Sequence, residues 1–299
     1  MTRVGFVGLG LMGGPMALNV LKAGFPLSVY NRTASRTAPH AEAGASVAPS
    51  LAALAEQVDV VCSCVTGPLD VEAVYLGPDG LLEHLKPGTL AIEMSTIDPA
   101  TQRGVGTAAA ERGIGYLDAP VSGGVGGARD GTLTIILGGE AKDVERARPV
   151  LDSMGRRIYH AGPLGAGATA KLMNQLISSI NAVAAIEGML LGTRAGIDPQ
   201  LLYEILTNSS ATSGALVSMK SYALAGNFAP GFTVDNMEKD VTLALQLARE
   251  LQMPLFAGSV AQQFLRSAQA AGLGDRHTAA QILPLERLLG VEVRARESE

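Results

Sequence analysis

Residues 4–13 of the chain read Val4-Gly5-Phe6-Val7-Gly8-Leu9-Gly10-Leu11-Met12-Gly13, a short apolar run followed by glycines in the spacing Gly-x-Gly-x-x-Gly. The run is typical of a buried strand, and the residues after Gly13 favour a helix. In that setting Gly8 permits a tight turn, Gly10 lets the backbone approach a pyrophosphate, and Gly13 allows close packing of helix on strand. The pattern predicts a dinucleotide site, and the alternative is a glycine-rich turn that binds no ligand.

Up to about residue 162, short apolar runs alternate with helix-like segments. The candidate strands span residues 4–7, 27–30, 58–65, 89–94, 115–117, 132–137 and 157–160. Helix-like segments between them include residues 12–23, 99–112 and 141–153. This alternation indicates βαβ units on a mostly parallel, doubly wound α/β sheet. The turn dipeptide Asp130-Gly131 before residues 132–137 predicts an antiparallel extension of that sheet.

The second half of the chain has a different pattern. After Ala161-Gly162-Pro163-Leu164-Gly165, helical periodicity continues with little β-rich sequence. We therefore expect two domains, residues 1–163 and 164–299, of which the second is all-helical. Residues 168–195 predict one helix of about 28 residues, long enough to run from the cleft between the domains into the second domain. The charged tail, residues 294–299, is expected to be disordered.

Composition excludes several functional classes. Hydrophobic residues make up 47% and charged residues 17%, and the net charge is −5, so no overall positive charge recruits nucleic acid or an acidic membrane. Cys62 and Cys64 are expected to pack in the core, and the four histidines have no ligand spacing, so no metal is expected. Because no uninterrupted apolar run of about 18 residues occurs, no membrane span is expected. A reducing, cytoplasmic location is expected.

The end of the second candidate strand bears on the choice of cofactor. Asn31-Arg32-Thr33 stands where a site that prefers NAD usually has an acid that binds the ribose hydroxyls. Without a carboxylate to repel a 2′-phosphate, and with Arg32 or Arg36 to pair with it, NADP(H) should be preferred and NAD(H) is possible. The alternative is that Arg32 is an ordinary surface arginine. Val65-Thr66 and Ser95-Thr96 fall at the ends of two further strand candidates and are expected to line the same site.

A second glycine-containing segment points to the substrate. It reads Asp118-Ala119-Pro120-Val121-Ser122-Gly123-Gly124 and follows the candidate strand 115–117. The hydroxyl of Ser122 and the consecutive N–H groups of this segment can form a concavity that binds a carboxylate. Seen alone, the segment is equally compatible with a glycine-rich surface loop.

The predicted long helix carries a polar stripe of low charge. Its members, at i, i+3, i+4 and i+7, are Lys171, Asn174, Gln175 and Ser178. Lys171 is expected to point at the cleft between the domains, where a partly desolvated lysine can exchange a proton with a substrate oxygen. The alternative interpretation of Lys171 is a purely structural lysine. Lys239-Asp240, further along the chain, is a charged pair whose simplest interpretation is a helix cap or a surface ion pair.

Taken together, these motifs resemble the β-hydroxyacid dehydrogenase family, which includes 3-hydroxyisobutyrate dehydrogenase, tartronate semialdehyde reductase and the glyoxylate and succinic semialdehyde reductases. The resemblance spans essentially the whole chain and is carried by four segments in family order and spacing, residues 8–13, 118–124, 165–175 and 239–240. It implies a Rossmann domain and an all-helical domain joined by the long helix, in a protein that self-associates as a dimer or tetramer.

The resemblance also implies roles for single residues. Lys171 would be the catalytic lysine, and Asp240 would help to position it. The residues that would bind substrate are Ser122, Gly123, Gly124, Asn174 and Gln175. The residues that would bind cofactor are Gly8, Gly10, Leu11, Met12, Gly13, Asn31, Arg32, Thr33, Val65, Thr66, Thr96, Phe232 and Lys239.

The implied activity is hydride transfer between NADP(H) and a small carboxylate-bearing substrate, in which a semialdehyde or 2-oxo acid is reduced to the hydroxy acid. The Lys-x-x-Asn-Gln order of residues 171–175 is similar to tartronate semialdehyde (2-hydroxy-3-oxopropionate) reductase. Asn31-Arg32-Thr33 is closer to the NADPH-dependent glyoxylate and succinic semialdehyde reductases, and 3-hydroxyisobutyrate dehydrogenase is a further alternative. A non-catalytic NADP-binding protein is the alternative class, against which the presence of Lys171 argues.

Overall fold

The computed structural model describes residues 1–295. The chain forms two compact units, one spanning Met1–Lys171 and the other beginning at Leu172. The predicted domain change at residues 163 and 164 lies before this division, which falls inside the long helix Ala166–Arg194.

The first unit is built on a sheet that has nine strands within residues 1–295. They are β1 (Val4–Val7), β2 (Leu27–Tyr30), β3 (Ser46–Val47), β4 (Val60–Ser63), β5 (Leu90–Glu93), β6 (Gly115–Asp118), β7 (Val121–Ser122), β8 (Leu133–Gly138) and β9 (Gly155–Gly162). The first six are parallel, in the order β3-β2-β1-β4-β5-β6. β8 runs antiparallel to β6 and β7 and parallel to β9. The predicted mostly parallel sheet with an antiparallel extension is confirmed.

Two of these strands, β3 and β7, were not predicted. Each has only two residues, which is too short for an apolar run to be recognised in the sequence. β7 has a functional setting, because it contains Ser122 of the expected anion-binding segment.

The connections in the first unit are mostly helical. The helices are α1 (Gly13–Lys22), α2 (Ala38–Glu42), α3 (Leu51–Ala55), α4 (Pro68–Leu76), α5 (Leu81–His84), α6 (Pro99–Ala110), α7 (Gly124–Asp130) and α8 (Ala141–Leu151). Alternate residues of the strands pack into two apolar cores. One core contains Val4 and Phe6, and the other contains Val7. Strands buried on both faces explain why the runs are short and continuously apolar. Cys62 lies in the first core and Cys64 packs against it, as expected.

The second unit is helical. It contains most of α9 (Ala166–Arg194), then α10 (Pro199–Thr207), α11 (Gly214–Ser218), α12 (Val234–Glu250), α13 (Phe256–Ala270) and α14 (Leu283–Leu289). Met189 and Leu190 of α9 pack in one core with Tyr203 of α10, and Leu172 and Leu176 pack with Leu243 of α12. The all-helical second half and its long helix are confirmed.

By length and composition, α9 could cross a membrane, because it has 29 residues and a mean hydropathy of 1.5 over its most apolar window. One third of that window is buried. Core helices of soluble proteins can have the same length and composition, so a single helix of this kind is weak evidence for a membrane span.

The prediction of a disordered tail is wrong for its first two residues. Arg294 forms an ion pair with Glu286 at 2.8 Å, and its guanidinium lies 5.1 Å from the centre of the Phe228 ring. The Ala295 N–H donates to the Leu224 carbonyl at 2.9 Å. These partners lie far back in the sequence, so the charged composition of the tail did not reveal them. Residues 296–299 lie outside the described residues.

Candidate active site

The glycine segment forms a tight turn between β1 and α1. Gly8 has a φ of +90°, and a Cβ on it would overlap the carbonyl oxygen of Cys64. A Cβ on Gly13 would overlap the carbonyl oxygen of Gly8, so the helix starts directly against the turn. At Gly10, by contrast, the only atom of residues 1–295 within 4 Å of a Cβ would be Nη1 of Arg36, at 3.6 Å. The middle glycine therefore leaves room for a ligand to approach the backbone.

The side chain of Asn31 holds this turn from the next strand. Its Oδ1 accepts the Leu9 N–H at 2.8 Å, and its Nδ2 donates to the Thr33 carbonyl at 2.9 Å. No side chain in the described part of the chain caps α1, and its first turn carries no acid. A helix N-terminus with unshielded N–H groups attracts phosphate, so the local structure fits a dinucleotide pyrophosphate.

Two arginines lie near this turn and differ in their contacts. Arg32 is highly exposed, and its Nη1 lies 3.3 Å from Oδ1 of Asp70 in the first turn of α4. Arg36 stands beside Gly10, as described above. An exposed ion pair of this kind contributes little free energy, so a 2′-phosphate could displace Asp70 from Arg32.

The ends of β4 and β5 are joined by hydrogen bonds beside the turn. The Val65 N–H donates to Ser95 Oγ at 2.7 Å, and the Ser95 N–H donates to Glu93 Oε1 at 2.6 Å. The hydroxyl of Ser63 donates to the other carboxyl oxygen of Glu93. We did not predict a role for Glu93, although an acid inside the apolar run Leu90-Ala-Ile-Glu was a sign of one.

The segment after β6 turns sharply at two glycines. Gly123 has a φ of +132° and Gly124 a φ of +63°, both in a region that side chains disfavour. Ser122 ends β7 immediately before them and is partly exposed. The chain therefore bends directly after a hydroxyl, and the binding of a carboxylate by this segment stays a prediction.

Asp118, at the beginning of that segment, holds the start of α9. It is fully buried, and its carboxylate accepts the Gly165 N–H at 2.7 Å and the Ala168 N–H at 2.6 Å. Gly138 and Gly167 make room for it, since a Cβ on either would overlap or crowd the carboxyl group. Burial raises the pKa of Asp118, and the backbone N–H groups oppose that shift. The sequence of residues 118–124 did not indicate this role for Asp118.

Lys171 lies one turn after Ala168 on α9 and is only 6% exposed. It belongs to the same unit as the glycine turn and Ser122. A lysine this buried is unusual for a surface helix face. The arrangement fixes Lys171 through a helix whose first turn is bound to the loop that carries Ser122.

A separate network forms in the second unit. Asn174 Nδ2 donates to Gln175 Oε1 at 3.0 Å, and Gln175 Nε2 donates to Asp240 Oδ2 at 2.7 Å. Lys239 Nζ lies 2.7 Å from the other carboxylate oxygen of Asp240, which is 1% exposed. The ion pair that we considered is present, but its acid is buried rather than on the surface. Phe232 packs against the core cluster of Val234 and Met237.

Within residues 1–295, one group of side chains brings three potential metal ligands close together. Asp79, Glu83 and His84 place one potential ligand atom each within 4.8 Å of one another, with both acids exposed. Exposed acids often approach each other in this way without an ion. The expectation that the chain holds no metal stays a prediction.

Comparison with known proteins gives two family models that together cover most of the chain. The NAD binding domain of 6-phosphogluconate dehydrogenase matches residues 3–162. The model described as NAD-binding of NADP-dependent 3-hydroxyisobutyrate dehydrogenase matches residues 165–285. Both models concern binding of a nicotinamide dinucleotide.

Individual relatives align over nearly their full lengths. The NAD-dependent L-serine dehydrogenase of Pseudomonas aeruginosa is 40% identical, over 92% of this chain and 95% of that protein. The 3-hydroxyisobutyrate dehydrogenase of the same organism is 44% identical, over 90% of this chain and 93% of that protein. The crystal structure of 3-hydroxyisobutyrate dehydrogenase from Salmonella typhimurium has a TM-score of 0.86 at 32% identity, covering 95% of this chain and 99% of that one.

Proposed function

The chain belongs to the β-hydroxyacid dehydrogenase family, and on that premise we propose that it reduces a small carboxylate-bearing semialdehyde or 2-oxo acid with NADPH. As a family member it is an NAD(P)-dependent oxidoreductase with a Rossmann domain and a helical domain. The observation that carries the proposal is the buried Lys171, one turn after the Asp118-bound start of α9. A buried amine fixed at this place has the chemistry of an acid–base group.

The nicotinamide cofactor supplies the hydride when it is bound. The chain supplies binding, orientation and a proton. The glycine turn and the N-terminus of α1 hold the pyrophosphate, while Ser122, Gly123 and Gly124 hold the substrate carboxylate. The Lys171 ammonium gives a proton to the oxygen that becomes the alcohol, and in the reverse direction the amine removes it.

The hydrogen bonds among Asn174, Gln175 and Asp240 change the role expected of Gln175, which was to bind substrate. Its amide nitrogen is bound to Asp240 and its amide oxygen to Asn174. Gln175 therefore orients the exposed Asn174, and Asp240 fixes Gln175. We retain the tartronate semialdehyde reductase-like reaction as the finer proposal, on the strength of this Asn-Gln pair, with glyoxylate, succinic semialdehyde and 3-hydroxyisobutyrate as alternatives.

The experiment that tests this function is NADPH oxidation with tartronate semialdehyde, glyoxylate, succinic semialdehyde and methylmalonate semialdehyde in parallel. We expect the highest kcat/KM for tartronate semialdehyde and turnover at least about tenfold lower for glyceraldehyde, which lacks the carboxylate, because an unpaired anion site is costly. The oxidation of 3-hydroxyisobutyrate and L-serine is measured in the reverse direction. A higher kcat/KM for another acid would replace the finer proposal, and equal turnover of glyceraldehyde would contradict carboxylate binding.

Cofactor preference is tested at Arg32. Arg32→Ala should raise the Kd for NADPH about tenfold and leave the Kd for NADH within about threefold, because a charged hydrogen bond contributes about 1.5–3 kcal/mol. Asp70→Asn should tighten NADPH binding, since it removes the acid that competes for Arg32. Fluorescence titration measures both constants, with Arg112→Ala as an exposed arginine control. Equal loss of NADPH and NADH affinity in Arg32→Ala would contradict a 2′-phosphate contact.

We also propose that the protein self-associates through α9. Met173, Ile177 and Leu191 are exposed, and their spacing puts them on one face of the helix. An apolar stripe of this kind is typical of a covered surface. The double variant Ile177→Glu/Leu191→Glu should lower the mass measured by light scattering from dimer or tetramer to monomer, whereas Leu76→Glu on α4 should not. An unchanged mass for the double variant would rule out this face.

A further inference from the structure

A buried carboxyl group lies at the carboxyl end of the parallel sheet. Glu93 ends β5 and is 0% exposed, and its register partners are Ser63 on β4 and Asp118 on β6. Ser63 donates to it, and the Tyr75 hydroxyl lies 2.7 Å from Ser63 Oγ. The proposed mechanism gives this acid no task, yet burying a carboxyl group costs free energy.

The hydrogen bonds of Glu93 lead directly to the residues expected at the cofactor. Glu93 Oε1 accepts the Ser95 N–H at 2.6 Å, and Ser95 Oγ accepts the Val65 N–H at 2.7 Å. The backbone just before Val65 also touches the glycine turn, because Gly8 has room only for a hydrogen against the Cys64 carbonyl. One carboxyl group thus ties the ends of β4 and β5 together beside the pyrophosphate turn.

We propose that Glu93 is a positioning residue for the dinucleotide, which sets the spacing between the strand ends at Val65 and Ser95 and thereby the affinity for the cofactor. This proposal rests on the NADPH binding proposed above and on the cofactor contacts expected from the sequence for Val65 and Thr96. It does not depend on the identity of the substrate, because affinity for the cofactor is measured without substrate.

The protonation state of this acid should matter near neutral pH. Burial raises the pKa of Glu93 to about 7, and the hydrogen bonds from Ser63 and Ser95 oppose that shift. The ionisable groups around it are Tyr75 and Tyr116 in the core on its own face of the sheet, Cys62 in the core on the other face, and Asp118 on the neighbouring strand. The pKa values of the first three are raised. The first three are neutral at pH 7, so an ionised Glu93 has no cation among them. Its charge opposes the binding of an anionic dinucleotide.

The same pKa shift makes the stability of the folded chain depend on pH. The pKa of Glu93 in the folded chain lies above its ordinary value of 4.5, so folding favours the protonated acid. This stabilising contribution is complete below pH 4.5 and is lost as the pH rises through about 7.

The test uses Glu93→Gln and Glu93→Ala in the full chain, with NADPH fluorescence titration between pH 6 and pH 8. Glu93→Gln keeps an oxygen for the Ser95 N–H and does not titrate, so we expect affinity within about threefold of wild type at pH 6. Glu93→Ala should raise the Kd about tenfold, the effect of one or two lost hydrogen bonds. The wild-type Kd should rise more steeply with pH than that of Glu93→Gln, and its thermal midpoint should fall more.

A purely structural role would predict a different result. Asp143→Ala removes another buried acid, which is paired with Arg146 on α8 at 2.7 Å, and should lower the thermal midpoint without changing the Kd. If Glu93→Ala does not fold, Ser95→Ala breaks the contact with Val65 and should raise the Kd by itself. The proposal is overturned if the pH dependence of the Kd is the same in wild type and Glu93→Gln. It is also overturned if Glu93→Ala or, where that variant does not fold, Ser95→Ala binds NADPH as wild type does, or if wild type does not bind it.

Discussion

Lys171→Ala is expected to lower kcat by about 10²- to 10⁴-fold, which is the usual contribution of a positioned acid–base group. The side chain is 6% exposed, so bulk water is poorly placed to deliver the proton in its absence. The Kd for NADPH should stay within about threefold of wild type, because Lys171 is assigned to the substrate oxygen and not to the cofactor. A threefold change in Kd corresponds to a free-energy change below about 1 kcal/mol. Steady-state rates with the best aldehyde, together with cofactor titration, measure both quantities.

Two further variants separate the proton from the charge at this position. Lys171→Arg keeps a cation that does not give up its proton near neutral pH, so kcat should remain low. Lys142→Ala removes an exposed lysine of α8 and should leave kcat unchanged. Wild-type turnover in Lys171→Ala would end the assignment of this residue, and full activity in Lys171→Arg would reduce its role to electrostatic attraction.

Asp118→Ala should lower both stability and turnover. It leaves the N–H groups of Gly165 and Ala168 without their buried acceptor, and an unsatisfied buried group costs about 1–3 kcal/mol. We expect the free energy of unfolding to fall by about that amount for each group. Because Lys171 follows Ala168 by one turn, kcat should also fall, by about tenfold or more, since small displacements from a productive geometry are costly.

The control is another acid that caps a helix. Asp198 accepts the N–H groups of Gln200 and Leu201 at the start of α10. Asp198→Ala should lower the free energy of unfolding by about 0.5–2 kcal/mol without a matching loss of kcat. Urea unfolding and steady-state kinetics compare the two variants, and Asp118→Asn, which keeps one acceptor oxygen, should lie between wild type and alanine. A stability loss in Asp118→Ala with unchanged kcat would contradict its link to Lys171.

Much of the fold was predictable because its determinants are local. The strands Val4–Val7 and Leu27–Tyr30 were predicted with their observed bounds, since each is a short apolar run with a turn after it. Helix α9 was predicted to within two residues at each end because its periodicity continues through the whole segment. Two-residue strands such as Ser46–Val47 have no such pattern.

The hydrogen-bond partners that position the site residues could not be predicted in the same way. Asp118 and Gly165, or Gln175 and Asp240, are distant in the sequence and meet only in the folded chain. Charge patterning identified Arg32 as a candidate for the phosphate, but it could not show that Asp70 would contact it. Sequence therefore identified residue types suited to the chemistry, whereas the hydrogen-bond partners that place them needed the structure.

Gly167 has a consequence for attempts to make this protein more heat-resistant. Glycine inside a helix costs about 1 kcal/mol relative to alanine, so a propensity-based design would replace it. At this position a methyl group would collide with the Ile136 carbonyl and the Asp118 carboxylate. Helix-propensity engineering of the long helix should therefore leave this glycine untouched and begin further along, at exposed positions such as Gly188. There, within the described chain, a Cβ meets no atom within 4 Å apart from its chain neighbours and the backbone of its own helix.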